Sequence, residues 1–431
     1  MPSKSDNAMK YEDFINLKYT PNKEDLICLF RITPSKEFNI KEAAIRVAAE
    51  SSNGTWSDLA IPEHIEKLKA IVFDIKDDYV KVAYPMDLFE KGNMSQVMSS
   101  IAGNVFGMKA VNGLRLEDVS WPKKFVGSFK GPAFGLRGVQ KLFGTKRTLT
   151  ATVPKPKVGY YPSEHAKLAF EGWMGGLDLL KDDENLTDQF FNRFEKRLEA
   201  SMKMRDKAEK LTGEKKSYLI NITAETNEMI RRMELVKKSG NEYIMIDTLT
   251  AGWAATQTIC NKARELGLAV HGHRAFHSAF DRNPLHGVSM KVICEIARLQ
   301  GIDQLHIGAM GKLVGGKDEV RSNFEKSSLM QNKEENLMLS QDWGTIKPMV
   351  SVASGGLHPG ILKPVFELLG TEIAIQVGGG IHSHPDGTKE GAKAVRESID
   401  AYNKGISLKE YSLTHPALKK AYDKWGEKVY E

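Results

Sequence analysis

Between residues 149 and 377 the sequence runs through LTATV (149–153), GLDLL (176–180), YLINIT (218–223), YIMIDT (243–248), LAVHGH (268–273), DQLHIG (303–308), MVSVAS (349–354) and EIAIQV (372–377). Each of these eight apolar, often β-branched runs is followed by a longer segment of helical periodicity. Strands this apolar cannot turn one face to water, and strand–helix alternation of this kind builds a parallel sheet. The competing topologies are an open doubly wound sheet and a closed barrel. The barrel is preferred because the polar residues of interest recur at the same end of nearly every strand, and in barrels of this kind the C-terminal strand ends carry the active site.

Upstream the pattern differs. DLICLFRI (25–32), KAIVFDI (69–75), YVKVAYP (79–85) and GLRLEDVSW (113–121) read as strands, interspersed with helices at NIKEAAIRVAAE (39–50) and MSQVMSSIAG (94–103). The expected class is therefore α/β, a C-terminal (β/α)8 TIM barrel over 148–404 preceded by an N-terminal α+β domain over 11–130. FKGPAFGLRGVQKLFGTKRT, rich in glycine and basic residues, supplies a connector over 131–147 with a short helix. Residues 405–431 read as further helix packed outside the barrel. Residues 1–10 read as a polar leader or cloning remnant, with Met9 able to serve as a start.

A chain of 431 residues exceeds what one hydrophobic core usually supports, in keeping with two domains. The net charge of +6 is dispersed, with no basic run or aromatic-interleaved stripe, which argues against nucleic acid and suits small anionic substrates. Cys28, Cys260 and Cys294 lie far apart and form no CxxC pair, as expected in a reducing, cytoplasmic setting. No stretch approaches the roughly 18 apolar residues needed to span a membrane.

The second strand runs into Lys181, Asp183 and Glu184. Locally these acids suit the first turn of a helix, where they meet its dipole. They also supply part of a magnesium site, which wants about six oxygen ligands. A neutral lysine amine can add CO2 and become a carbamate with carboxylate-like oxygens, so Lys181 is the candidate for a further donor. The first strand ends at Lys155 and Lys157; read as neighbours in an enclosed face, each raises the other's cost of being charged, which suits Lys155 as a base. His271, His273, Arg274 and His277 follow the fifth strand. The HxH pair is compatible with zinc, and the arginine is a forked partner for phosphate. His306 and Lys312 lie in a glycine-rich turn that reads as an ordinary loop or as a lid carrying a movable lysine. Ser354, Gly355 and Gly356, then Gly378, Gly379 and Gly380, follow the seventh and eighth strands, where barrels often bind phosphate. One phosphate there and another near Arg274 and His306 would suit a substrate phosphorylated at both ends.

Together, ESSNGTW (50–56), GNVFGMKAVNGLRLEDV (103–119), PKPKVG (154–159), GGLDLLKDDEN (175–185), HGHRAFH (271–277), LHIG (305–308), SQDW (340–343), VASGGLHPG (352–360) and IQVGGGIHSHPDG (375–387) resemble the large subunit of ribulose bisphosphate carboxylase/oxygenase. AGNVFGMKA and GGGIHSHPDGT look most like the archaeal, form III type, for which no small subunit is expected. The resemblance implies that Lys181 forms the carbamate and that Asp183 and Glu184 complete the protein ligands of Mg2+. It makes Lys155 the base that enolises ribulose 1,5-bisphosphate, with Lys157 its neighbour, and gives His273 later proton handling. It assigns Arg274 and His306 to one phosphate, and Gly378 and Gly379 with Thr55 and Trp56 to the other. Thr55, Trp56, Glu50 and Asn104 would come from the N-terminal domain of a partner chain, so a homodimer or ring of dimers is implied. Ser354 and Gly356 complete the sugar contacts, and Lys312 the CO2 site.

The implied activity adds CO2 to the enediolate and cleaves it to two molecules of 3-phosphoglycerate, with O2 competing. A RuBisCO-like isomerase of a related sugar phosphate, a zinc barrel hydrolase and a non-catalytic sugar-phosphate-binding barrel are the alternatives. One departure stands out: His306 and Lys312 are six positions apart, one fewer than in most of the family, which bears on how Lys312 reaches the bound CO2 and on CO2/O2 discrimination.

Overall fold

The structure, a computed structural model, describes residues 10–55, 62–309 and 316–428. Internal packing divides the chain into two units, one of Met1–Lys130, Phe276–Leu299 and Leu329–Ile346, the other of Gly131–Ala275, Gln300–Ser328 and Lys347–Glu431.

In the first unit, strands β1 (Leu26–Pro34), β2 (Ile71–Lys76), β3 (Tyr79–Tyr84) and β4 (Val111–Ser120) form an antiparallel sheet in the order β4-β1-β3-β2. All four lie where alternation and β-branched content place them. The helix Ile40–Glu50 starts at a reciprocal capping box, in which Asn39 accepts from the Glu42 amide at 3.0 Å and Glu42 accepts from the Asn39 amide at 2.9 Å. It buries Ala43, Ala44, Val47 and Ala48.

Two segments read from sequence as part of the barrel stretch group with this unit, and their backbone bonding accounts for it. Gly287–Val288 pairs in parallel with β4 at Arg115 and Leu116. The carboxylate of Asp118 accepts from the Leu339 amide at 2.6 Å, and Gln341 accepts from the Trp121 amide at 2.7 Å.

In the second unit β5 (Leu149–Thr152), β6 (Leu179–Lys181), β7 (Ser217–Leu219), β8 (Tyr243–Asp247), β9 (Ala269–His273), β10 (Gln304–His306), β11 (Val350–Ser354) and β12 (Ala374–Gln376) pair in parallel. The ring closes between β7 and β8 through the bridge Asn221–Met245, where the Met245 amide donates to Ile220 O at 2.8 Å and the Ile222 amide to Met245 O at 3.0 Å. This settles the topology as a closed (β/α)8 barrel. Every residue of these strands is buried except His273 and Ser354, the last residues of β9 and β11.

The segment expected to be a connector closes one mouth of the barrel. Its helix Gly135–Phe143 sets Val139, with Phe134, Leu136, Leu142 and Phe143, against an apolar layer that includes Leu149, Leu179, Tyr243, Ala269, Val350 and Ala374. Asp303, fully buried just before β10, holds it there. Its carboxylate accepts from the amides of Phe134 at 2.6 Å, Gly135 at 2.9 Å and Val270 at 2.9 Å. Asp303→Ala would strand these three donors, and each costs about 1 kcal/mol or more when buried and unpaired. We expect it to lower unfolding stability by roughly 3 kcal/mol, with Asp303→Asn losing less, as read from urea denaturation midpoints; equal midpoints for wild type and Asp303→Ala would rule this out.

Candidate active site

Lys181 ends β6 with its side chain 1% exposed. Its Nζ donates to Asp182 O at 2.7 Å and lies 3.9 Å from Glu184 Oε2. The next helix begins only at Phe194, so Asp183 and Glu184 are not the first turn of a helix, and the dipole explanation does not apply. Burial is the main influence on Lys181 and drives its pKa down, against the opposing pull of Glu184, Asp247, Asp183 and Asp182. Burial acts to raise Asp183, but the Asn185 hydrogen bond and the Lys155 ammonium together hold it below its usual value.

Lys155 Nζ donates to Asp183 Oδ2 at 3.0 Å. The lysine pair expected to repel charge is thus replaced by a carboxylate partner for Lys155, while Lys157 is exposed on the same rim. Both line a cavity of about 530 Å³ over the C-terminal strand ends, together with Asp183, Glu184, His273 and His306. Among the described residues, no group of three or more His, Cys, Asp and Glu side chains is arranged to hold a metal. Asp183 and Glu184 do not by themselves make up such a group; beside them Lys181 Nζ lies 3.9 Å and His273 Nε2 3.6 Å from Glu184.

The histidines behave differently from one another. His273 lies with Nε2 3.6 Å from Glu184 and Nδ1 3.4 Å from Asp247. His271, buried on β9, meets His306 Nε2 to Nε2 at 2.9 Å, and His306 Nδ1 meets Ser354 Oγ at 2.6 Å. One of the facing Nε2 atoms carries a proton and the other accepts it. His277 pairs with Asp281 at 2.7 Å and does not line the cavity. Arg274 is buried and also absent from the lining. Its guanidinium passes over Gly308, whose φ of +100° and missing Cβ leave the room.

The two glycine turns meet on the opposite side. Gly355, Gly356, Gly378, Gly379 and Gly380 all line the cavity. A Cβ on Gly380 would lie 2.5 Å from Leu357 O, so only glycine lets these turns approach, whereas a Cβ on Gly379 would meet nothing within 4 Å. Gly379 thus presents open backbone to the cavity.

Glu50 and Asn104 are exposed in the first unit, at the end of one helix and the start of a short 3-10 turn, and Thr55 is partly buried there. Trp56 and Lys312, with the shortened loop, lie outside the described residues.

Three residues that sequence reading passed over join the site. Asp247 ends β8 and carries a buried Oδ1 without a hydrogen bond; the criterion of a polar residue at a strand's C-terminal end would have found it in YIMIDT. Asp182 is fully buried between two of the candidate ligands. Trp425 lines the cavity and stacks on His358 with ring centroids 5.6 Å apart. The tail, expected to pack wholly outside, packs its helix Pro416–Trp425 on Thr388–Asn403 but delivers its last residue to the site. No local signal marks Trp425.

The catalytic-domain model of the ribulose bisphosphate carboxylase large chain matches residues 136–425, and its N-terminal-domain model matches 13–125. The chain belongs to that family. The ribulose bisphosphate carboxylase of Archaeoglobus fulgidus is 49% identical over 96% of this chain and 98% of that protein. That of Methanosarcina barkeri is 48% identical over 96% and 99%. Among solved structures, the dimeric archaeal Rubisco of Hyperthermus butylicus superposes with a TM-score of 0.92 at 48% identity, covering 97% of this chain and all of the other. The octameric enzyme of Pyrococcus horikoshii does so with a TM-score of 0.90 at 43% identity over 98% of each.

In this ribulose bisphosphate carboxylase fold, burial pushes His271 and His306 well below the ordinary imidazole range, aided by Lys181 and by each other's neighbours. The unfolded chain therefore takes up protons first. Below about pH 6.5 stability should fall as pH falls, by about 1.4 kcal/mol per pH unit for each histidine. His306→Gln is expected to remove about one histidine's share of that slope in urea denaturation between roughly pH 7.5 and 5.5; an unchanged slope would mean that His306 is not held neutral.

Proposed function

We propose that this chain carboxylates ribulose 1,5-bisphosphate, adding CO2 at C2 of its enediolate and releasing two molecules of 3-phosphoglycerate, with O2 competing for the same intermediate. One observation carries the reading. A buried lysine with a depressed pKa stands beside two carboxylates on the C-terminal rim of a closed barrel, in a chain nearly half identical to archaeal ribulose bisphosphate carboxylases.

The residues fit the magnesium that the family implies. A neutral, desolvated Lys181 amine is the form that adds CO2, and the resulting carbamate offers the oxygen donor that Asp183 and Glu184 lack. These three would hold Mg2+, which when bound supplies Lewis-acid polarisation to the substrate's carbonyl and adjacent hydroxyl.

Lys155 is tied to Asp183 at 3.0 Å. As the neutral amine, Lys155 takes the C3 proton at this rim. His273, held between Asp247 and Glu184, moves protons during hydration. Arg274 and His306 bind one phosphate, His306 by exchanging its Ser354 bond for a phosphate oxygen. The open backbone at Gly379, with Gly378 beside it, takes the other, with Thr55 and Trp56 of a partner copy. Glu50 and Asn104 reach the site from the same partner domain, Ser354 and Gly356 touch the sugar, Lys157 lines the rim, and Lys312 steadies the new carboxylate.

A homodimer, alone or in rings, follows from this shared site, without a small subunit. The solved relatives are described as dimeric and octameric. The three cysteines are free and buried, in keeping with a cytoplasmic enzyme. Among the described residues no helix is long and apolar enough to cross a membrane.

The deciding assay supplies ribulose 1,5-bisphosphate and labelled bicarbonate, with and without prior incubation in CO2 and Mg2+. Label should enter 3-phosphoglycerate, prior incubation should raise the rate, and Lys181→Ala should lose more than about 100-fold. An isomerised sugar phosphate as sole product would transfer the chain to the RuBisCO-like isomerases.

A further inference from the structure

Both ends of β6 are anchored by a carboxylate–guanidinium pair, with a partly exposed guanidinium at the start of the strand and a fully buried one at its end. At the start of the strand, Asp178 takes both Arg147 Nη atoms at 2.7 and 2.6 Å, along with the Thr150 amide at 2.8 Å and hydroxyl at 2.9 Å. At its end, Asp182 turns away from the cavity between Lys181 and Asp183. Its Oδ2 accepts from Arg197 Nε at 3.2 Å and the Asn221 amide at 3.0 Å, and its Oδ1 from Tyr218 OH at 2.5 Å, with His165 Nε2 3.2 Å away. Asp182, Arg197, Tyr218 and His165 are all buried.

Arg197 does more than neutralise Asp182. Its Nη1 donates to Asn192 O at 2.8 Å and its Nη2 to Thr187 O at 2.7 Å, so one guanidinium ties both the strand end and the loop after the acids. The Asp182 amide also donates to Leu219 O at 3.1 Å. Side chains at 181 and 183 are thereby turned toward the cavity while 182 is locked on the other side. A fully buried ion pair is a weak device for stability, because desolvating both charges costs about what their attraction returns. Its value lies in allowing one arrangement only.

We propose that Asp182, clamped by Arg197 and Tyr218, is a positioning residue for the metal site: it fixes the backbone that carries Lys181, Asp183 and Glu184, and so sets the affinity for the divalent cation and the lifetime of CO2 on Lys181. This rests on the ligand assignment proposed above. Partners that orient metal ligands typically govern about ten- to a hundredfold in affinity.

The test compares Asp182→Asn with Asp178→Asn, which breaks the equivalent pair at the other end of the same strand. Mn2+ affinity is measured by electron paramagnetic resonance in the presence of CO2, retention of labelled CO2 on the protein by gel filtration, and thermal stability for each variant. Asp182→Asn should weaken Mn2+ by about tenfold or more and shorten label retention. Asp178→Asn should lose similar stability with Mn2+ affinity within about twofold of wild type. Tyr218→Phe removes only the hydroxyl, which donates to Asp182 and meets Arg197 Nε at 3.1 Å and His165 Nε2 at 3.3 Å; it should weaken Mn2+ to a smaller degree and serves if Asp182→Asn does not fold. Equal weakening in Asp182→Asn and Asp178→Asn, or unchanged Mn2+ affinity in Asp182→Asn or in Tyr218→Phe, would overturn the proposal. Wild-type Mn2+ binding that ignores CO2, or label retained by Lys181→Ala, would instead overturn the ligand assignment.

Discussion

A parallel strand covered on both faces has no place for charge except beyond its own ends, and this constraint organises the second unit. Eight such strands close into a ring in which every residue but His273 and Ser354 is buried. Lysine, carboxylate and imidazole groups are consequently driven to the rims. At one rim they meet in a cavity; at the other the plug helix and Asp303 use them to seal the barrel. The division of labour between the two ends follows from burial.

Desolvation then shapes the chemistry. The same burial that makes the barrel stable lowers the pKa of Lys181 and of the histidines beside it. The Lys155–Asp183 ion pair adds a second element, joining the ends of two neighbouring strands across the rim.

Much of this was legible in the sequence because strand burial has a simple signature. Eight apolar runs, each followed by a helical segment, located all eight barrel strands, and polar residues at their C-terminal ends led to Lys155, Lys181, Asp183, Glu184, His273, His306 and Ser354, all but Lys181 in the lining of a single cavity and Lys181 3.9 Å from one of its carboxylates. Where the reading went astray, the cause was contact between residues distant in sequence. Lys155 was paired with Lys157 because they are two apart, whereas its partner Asp183 is separated from it by 28 positions. The plug helix looked like a connector because its apolar side joins a layer drawn from seven different strands. Trp425 reaches the cavity from the far end of the chain.

Asp182 marks the boundary between the two kinds of knowledge. The sequence by itself determined the eight strands, the rim on which polar residues collect and the family, because periodicity and residue type are local properties, whereas closure of the ring was settled by the pairing of Asn221 with Met245. Only the tertiary structure decided which of three consecutive acids turns away from the cavity, which residues clamp it and which lysine meets which carboxylate. Direction at a strand end is chosen by partners such as Arg197, Tyr218 and Asn221, which lie 15, 36 and 39 positions away and become neighbours only when β6 and β7 pair.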